Sequence, residues 1–376
     1  MVSIFRIAVY DKNRQFRCQI GNPSALAGTV RHNMVSSLDL TVPLAHENIG
    51  ELFADGARVK VMFRKQHLFS GDIISEDGES NGVKGSVTFN AEGDLAVLKD
   101  ILGWPVPATA ISDQSASEYR TYTGNAETII KTAVAENGVT RMGVPGLVVA
   151  PNLNRGAVIP GGVPLRMHPL FDQLFPAVEN AGLGVTVQQV GSDLVLDVYE
   201  AQPYPRTLRV KGRTLKSVKW NRRRPTASRV VIGGQGEGVA RKFRQLIDVP
   251  REAQYGMRRE TFRDARDDNT DSVLDARGRE TLDEAGPKNG LSLDLVGTGI
   301  FQYGGPGGFR EGMRVPVEVA PGVIVTEMIR EVNFKWVSKD YAQITPTIGE
   351  IINQPARIFA QRIAALHKGL RNQERR

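Results

Sequence analysis

Residues 57–74, ARVKVMFRKQHLFSGDII, hold two β-strands in succession, and their reading decides the fold. In ARVKVMF the apolar residues Val59, Val61 and Phe63 occupy alternate positions. Successive side chains of a strand point to opposite faces, so this spacing makes one apolar face and one polar face. HLFSGDII follows in the same style. Toward the N-terminus, Phe5, Ile7 and Val9 alternate with Arg6, Ala8 and Tyr10, and LAGTVRHN and SSLDLTV continue the pattern, with Leu38, Leu40 and Val42 on one face. Toward the C-terminus GVKGSVTFNAEG reads as a strand, while HENIGELF (46–53) and DLAVLKDIL read as short helices. About six strands in roughly a hundred residues predict a small antiparallel barrel or sandwich.

The pattern changes after residue 103. Asn125 is placed to cap a helix AETIIKTAVAEN that carries Glu127 in its first turn and stops at Gly138. Its apolar residues Ala126, Ile129, Ile130, Ala133 and Val134 form the single stripe of a helix packed on one side. A Pro/Gly-rich loop (143–164) leads to a second helix, HPLFDQLFPAVENAG, with a bend expected at Pro176. A hairpin follows, GVTVQQV turning at Gly191–Ser192 into DLVLDVYE. Strands resume from residue 206 in TLRVKG, TLKSVKW and SRVVIGG, and again in GMRVPVEVA, GVIVTEMIREVNFKW and YAQITPTIG. Between these two groups lies a charged stretch with one helix, DSVLDARGRETLDEAG, weakened by Gly278. Finally, Ile352, Ala356, Phe359, Ile363, Leu366 and Leu370 recur at a/d spacing in a helix that Pro355 can start, suited to coiling with copies of itself or to docking on its own chain.

Composition supports many short elements. The 376 residues include 39 Gly and 20 Pro, and 41% hydrophobic with 24% charged residues excludes wholesale disorder. The single cysteine, Cys18, allows no internal disulfide and reads as a small buried hydrophobe. There is no apolar run of membrane-spanning length and no signal-peptide pattern, so the expectation is folding in a cytoplasm. The net charge of +7 is concentrated: residues 201–229 hold ten Lys/Arg and no acid, and residues 353–376 carry +5, leaving −8 elsewhere. Charge confined to two segments argues against a general nucleic-acid-binding surface.

No sequence motif for chemistry is present. GxxxxGK[ST], GxGxxG after a strand, GxSxG and HExxH are all missing. The histidines, His32, His46, His67, His168 and His367, show no ligand spacing and suit surface or capping roles. DARDDNTDSVLD (264–275) imitates a calcium loop at Asp267, Asn269 and Asp271, but Ser272 stands where the turn glycine is needed and Gly278 where the bidentate Glu is needed. Asp264, Asp267 and Asp271 are also the only crowded carboxylates a hydrolase could use. GGQGEG (233–238) reads as a hairpin turn and GGPGG (304–308) as a loop. In RVKGRTLKSVKWNRRRP, the cations Arg209, Lys211, Arg213, Lys216, Lys219, Arg222, Arg223 and Arg224 flank Trp220 and are candidate contacts for an anionic partner, nucleic acid included.

Several stretches carry a family resemblance. HLFSGDII, FNAEGDLAVLKDILGWP, YTGNAETIIKTAVAENG, LFDQLFPAVENAGLGVTV, RVVIGGQGEGVARKF, YGMRRETFRDARD and ITPTIGE, in this order, resemble the hub or tail-tip proteins of long-tailed bacteriophages. The match is to minor tail proteins of siphoviruses that infect actinobacteria, related in fold to the central baseplate hub of contractile-tailed phages. The resemblance implies an α+β, mainly β chain: a first β-barrel (1–103), an inserted α+β domain (104–205), a second barrel (206–249 and 311–350) interrupted by an insertion (250–310), and a C-terminal amphipathic helix (351–376). It further implies a trimeric ring at the virion tail tip, assembled in the host cytoplasm. The ring would join the distal tail protein and tape-measure protein to other tail-tip proteins and pass the genome, with transient DNA contact. It supplies no catalytic, cofactor or metal residues. Relatives with a C-terminal hydrolase or fibre domain differ, since one helix follows Gln354 here, and a lytic domain is expected on another polypeptide.

Overall fold

A computed structural model of the chain describes residues 4–81, 84–210, 215–295, 301–305, 307–339 and 341–349. The expected C-terminal helix, with its seam Ile352, Ala356, Phe359, Ile363, Leu366 and Leu370, lies outside the described residues, as do Lys211 and Arg213. Strands account for 46% and helices for 21%, with most strand pairs antiparallel, so the chain is mainly β. It divides into two compact units, Met1–Ser217 with Leu293–Thr347, and Val218–Ser292 with Ile348–Arg376.

The first unit is built on one long sheet. Its strands are β1 (Phe5–Tyr10), β2 (Phe16–Ile20), β3 (Ala25–Arg31), β4 (Ser37–Pro43), β5 (Arg58–Phe63), β6 (Gln66–Ser80) and β7 (Gly85–Gly93). Alternation does what the sequence predicts: Val59, Val61 and Phe63, and Leu38, Leu40 and Val42, are all buried. Each such side chain contributes about 1.5–3 kcal/mol when taken fully out of water. Gly71 marks the tightest approach in the sheet. A Cβ built there would lie 1.9 Å from the Glu92 carbonyl oxygen, so only glycine lets β6 lie this close to β7.

An α+β module lies between these strands and the rest of the sheet. Its helices are α1 (Ala126–Val134) and α2 (Leu170–Asn180), and its hairpin is β8 (Leu183–Val190) with β9 (Asp193–Glu200). The Asn125 side chain accepts a bond from the Thr128 amide at 2.9 Å, the expected cap. The helix does not stop at Gly138; it continues as a π-helical stretch, Ala135–Arg141. Gly138 is buried there, where a Cβ would press on Leu147 and Ile101, so its small size serves packing and not termination. Ile129, Ile130 and Val134 pack with Leu174, Val178, Leu196 and Val198 in one core.

The chain's later strands return to the same sheet. After β10 (Leu215–Arg223), β11 (Arg229–Gly233), β12 (Phe243–Ile247), β13 (Glu260–Asp264) and α3 (Asp271–Glu284) come β14 (Arg314–Ala320), β15 (Val323–Ser338) and β16 (Tyr341–Gly349). β15 pairs antiparallel with β3, placing Phe334 opposite Gly28, so early and late strands share one ladder. The order runs β16-β15-β3-β4-β7-β6-β5-β1-β2, with β14 on β15.

In the second unit β11 is flanked by antiparallel β12 and parallel β13. SRVVIGG thus lies in a three-stranded sheet with Phe243–Ile247 and with Glu260–Asp264 of the charged stretch, whereas the sequence groups it with the strands at 314–349. Val230 and Ile232 of β11 pack with Leu274 and Leu282 of α3. Gly278, read from sequence as a weak point, is buried in α3, and a Cβ there would sit 2.6 Å from Leu246 and 2.8 Å from Ile232.

Candidate functional site

The densest polar cluster is buried where β5, β6 and β7 meet β8. The Asp94 side chain, just past β7, is fully buried and forms an ion pair with Arg58. One of its oxygens accepts from the Arg58 guanidinium, the other from the Ser70 hydroxyl and from the Gln189 amide, the latter at 3.0 Å. Arg58 also pairs with Asp72, and the Lys60 ammonium donates to the Gln189 carbonyl at 2.8 Å. Burial pushes the Asp94 carboxyl up, against the pull of Arg58 and Ser70. The Phe-Ser-Gly stretch of β6 is therefore structural at each position: Phe69 fills the core, Ser70 binds Asp94, and Gly71 permits the close approach to β7.

His67 Nε2 lies 3.0 Å from the Ser70 hydroxyl, so Ser, His and Asp form a chain, but in an order that cannot activate a nucleophile. The serine proton is directed to Asp94, and the hydroxyl oxygen accepts from the imidazole and from the Gln189 amide at 3.2 Å. A catalytic triad needs the imidazole between the acid and the hydroxyl. Ser70 is also only 4% exposed. Burial first, then Lys60 and Arg310, lowers His67 to about 4.

A second buried contact ties β3 to the hairpin. His32 Nδ1 and the Tyr199 hydroxyl share a hydrogen bond of 2.7 Å, while His32 Nε2 has no hydrogen-bond partner among the described residues. Burial, then Arg330, lowers His32 to about 4, and burial pushes the Tyr199 phenol above its ordinary value. Asn33 beside it acts as an extra strand residue, donating to the Leu183 carbonyl at 2.9 Å and accepting from the Val185 amide at 2.8 Å. The surface or capping role expected of these histidines holds for His46, which bonds the Gly21 carbonyl at 2.9 Å and accepts from the Asn48 amide. It fails for His32, which is buried, because β3 is covered by elements more than 150 residues away in sequence. Cys18 is half-buried and not in the core, and burial raises its thiol, which opposes thiolate formation.

The acidic cluster at 264–275 is neutralised by cations. Asp267 receives two bonds from Arg277, both 2.6 Å. Asp271 faces Lys242 and Arg244, and Asp264 faces Arg241 and Arg266. The hydrogen bond from Lys242 holds Asp271 below its ordinary value, the opposite of what a general acid requires. Among the described residues no group of His, Cys, Asp or Glu is arranged to hold a metal.

The basic segment separates into two parts. Arg209 is paired with Glu318 at 2.8 Å. Lys216, Lys219, Arg222, Arg223 and Arg224 are exposed on β10 and the residue after it, with Trp220 53% exposed among them. What sequence reading missed is the buried Arg58–Asp94–Ser70 junction. Its only signal was Ser70-Gly71 within β6 and Gly93-Asp94 at the end of β7.

A family model described as Siphovirus ReqiPepy6 Gp37-like protein matches residues 6–350. Among solved structures, the 43 kDa tail protein of prophage MuSo2 from Shewanella oneidensis is similar, with a TM-score of 0.57 and 13% identity over 92% of this chain and 98% of that one. Prophage tail protein gp18 from Listeria monocytogenes EGD-e gives 0.57 and 12%, over 96% and 99%. The tail protein from Neisseria meningitidis MC58 gives 0.54 and 14%, over 92% and 97%. At such identities the likeness is one of fold. No curated protein sequence matches.

Proposed function

The chain belongs to the Siphovirus ReqiPepy6 Gp37-like family, and from that premise we propose that this phage tail protein is the structural hub of the tail tip. In this reading copies of the chain close into a trimeric ring that joins the tail tube and distal tail ring to the tip. The genome and the tape-measure protein pass through it. The observation that carries the reading is fold likeness to phage tail proteins over more than nine-tenths of both chains. Supporting it, the polar residues with catalytic potential are committed to holding the fold: Ser70 and Asp94 bind one another, and Asp267 and Asp271 bind cations. The protein is accordingly proposed to be a non-enzymatic virion component. Among the described residues no helix is long and apolar enough to cross a membrane.

Light scattering on the purified chain, alone and with the distal tail protein, tests the ring. The expected mass is three times that of the chain; a stable dimer, or a monomer under both conditions, overturns it. The hydrolase alternative predicts release of host cell-wall fragments that is lost in Asp267→Ala. The hub reading predicts no release from either protein.

A further inference from the structure

Two strand edges of this chain carry opposite charge. β5 pairs with β6 over Gln66–Asp72. Beyond it, from Ser75 to Ser80, β6 pairs with β7 alone among the described residues. This outer half therefore forms an arm with one open edge, and every residue of Ile74–Ser80 is exposed, including Glu76, Asp77 and Glu79. The other edge is β10, which among the described residues stands at the end of its sheet's strand order, with a neighbour on one side only. It carries Lys219, Arg222 and Arg223, followed directly by Arg224, all exposed.

These cations are treated differently from the others in the second unit. Arg229, Arg241, Arg244, Arg251 and Arg277 each face a carboxylate there. Among the described residues no carboxylate pairs with Lys219, Arg222, Arg223 or Arg224, so four like charges stand together within six residues. Both edges also expose one large apolar residue, Ile74 at 59% and Trp220 at 53%.

We propose that the acidic edge at 74–80 of one copy adds as a strand to the basic edge at 219–224 of a second copy. Open edges pair through main-chain hydrogen bonds, while side chains select the partner. Past the bulge between Ile73 and Ser75, strand alternation puts Glu76 on one face of the arm and Asp77 and Glu79 on the other. On β10 it puts Trp220 and Arg222 on one face and Lys219 and Arg223 on the other. Acid thus meets base on both faces. Two acidic edges repel each other, as do two basic ones, which blocks pairing of like edges and leaves only the head-to-tail contact. A contact between different surfaces of identical chains is the kind that closes into a ring. The proposal rests on the ring reading and names one of its interfaces.

The test uses the full chain in sedimentation velocity, with three variants. They are an arm reversal (Glu76→Lys, Asp77→Lys, Glu79→Lys), a strand reversal (Arg222→Glu, Arg223→Glu, Arg224→Glu), and the two combined. Urea midpoints matching the parent show that each variant folds. Each single reversal is expected to weaken assembly by about 100-fold, with the combined chain regaining most of the loss. Assembly of the parent should also weaken as salt rises. Unchanged assembly in both single reversals overturns this interface while leaving the ring intact. A parent that stays monomeric with or without the distal tail protein overturns both. Loss on strand reversal but not on arm reversal also overturns the proposal. If a single-stranded oligonucleotide then binds the parent and not the strand reversal, nucleic acid is the basic edge's partner.

Discussion

Acid should loosen the first unit through buried His32 and half-buried His67. His32 and His67 lie near 4 in the folded chain, against an ordinary 6.5. The folded value is the lower one, so between these limits the unfolded chain binds the protons. Stability is therefore fully present above pH 6.5 and is lost as pH falls toward 4. At pH 5 each histidine is expected to cost about 2 kcal/mol, and the pair about 4 kcal/mol, relative to pH 8. Other groups face the two rings: Lys60, Arg310, Ser70 and Asp94 around His67, and Arg330 and Tyr199 around His32. Asp94, whose carboxyl is raised, acts with the opposite sign, since folding favours its protonated form as pH falls. The comparison that isolates the histidines is the parent against His32→Gln/His67→Gln. Urea midpoints at pH 8 and pH 5 should differ much more in the parent than in the double variant. An equal pH shift in both chains, or imidazole titration above pH 6 by NMR in the folded parent, would refute the reasoning.

Other substitutions test the packing directly. Asp94→Ala leaves Arg58 buried beside Asp72 alone and should cost about 3–5 kcal/mol, read as a lowered thermal midpoint. Gly278→Ala gains about 1 kcal/mol in helix propensity but drives a methyl against Leu246 and Ile232. A net loss of about 1–2 kcal/mol is expected, read as faster amide exchange in β11 and α3. Asn125→Ala removes the bond to the Thr128 amide and should destabilise the α+β module by about 1 kcal/mol in chemical denaturation.

What the sequence by itself determined is local. The alternation of Leu38, Leu40 and Val42 sets which face of β4 is buried, because the two-residue repeat follows from strand geometry whatever the partner. Asn125 caps its helix for a similar reason: the bond spans three residues and needs nothing distant. The low content of catalytic motifs was legible too, and the order of segments was enough to indicate the family. Tertiary structure decided which strands share a ladder and which polar groups are buried. No spacing rule links Phe334 to Gly28, yet their pairing joins early and late strands in one sheet. His32 looks like a surface residue until Tyr199 arrives beside it from the hairpin. Asp94 looks like a helix-start acid until Arg58, Ser70 and Gln189 enclose it. Gly138 and Gly278 look like helix breakers, and only the neighbours within 3.0 Å of their missing side chains show that smallness is what the packing requires. Burial and pairing across hundreds of residues depend on which surfaces meet, and that is a property of the folded chain as a whole.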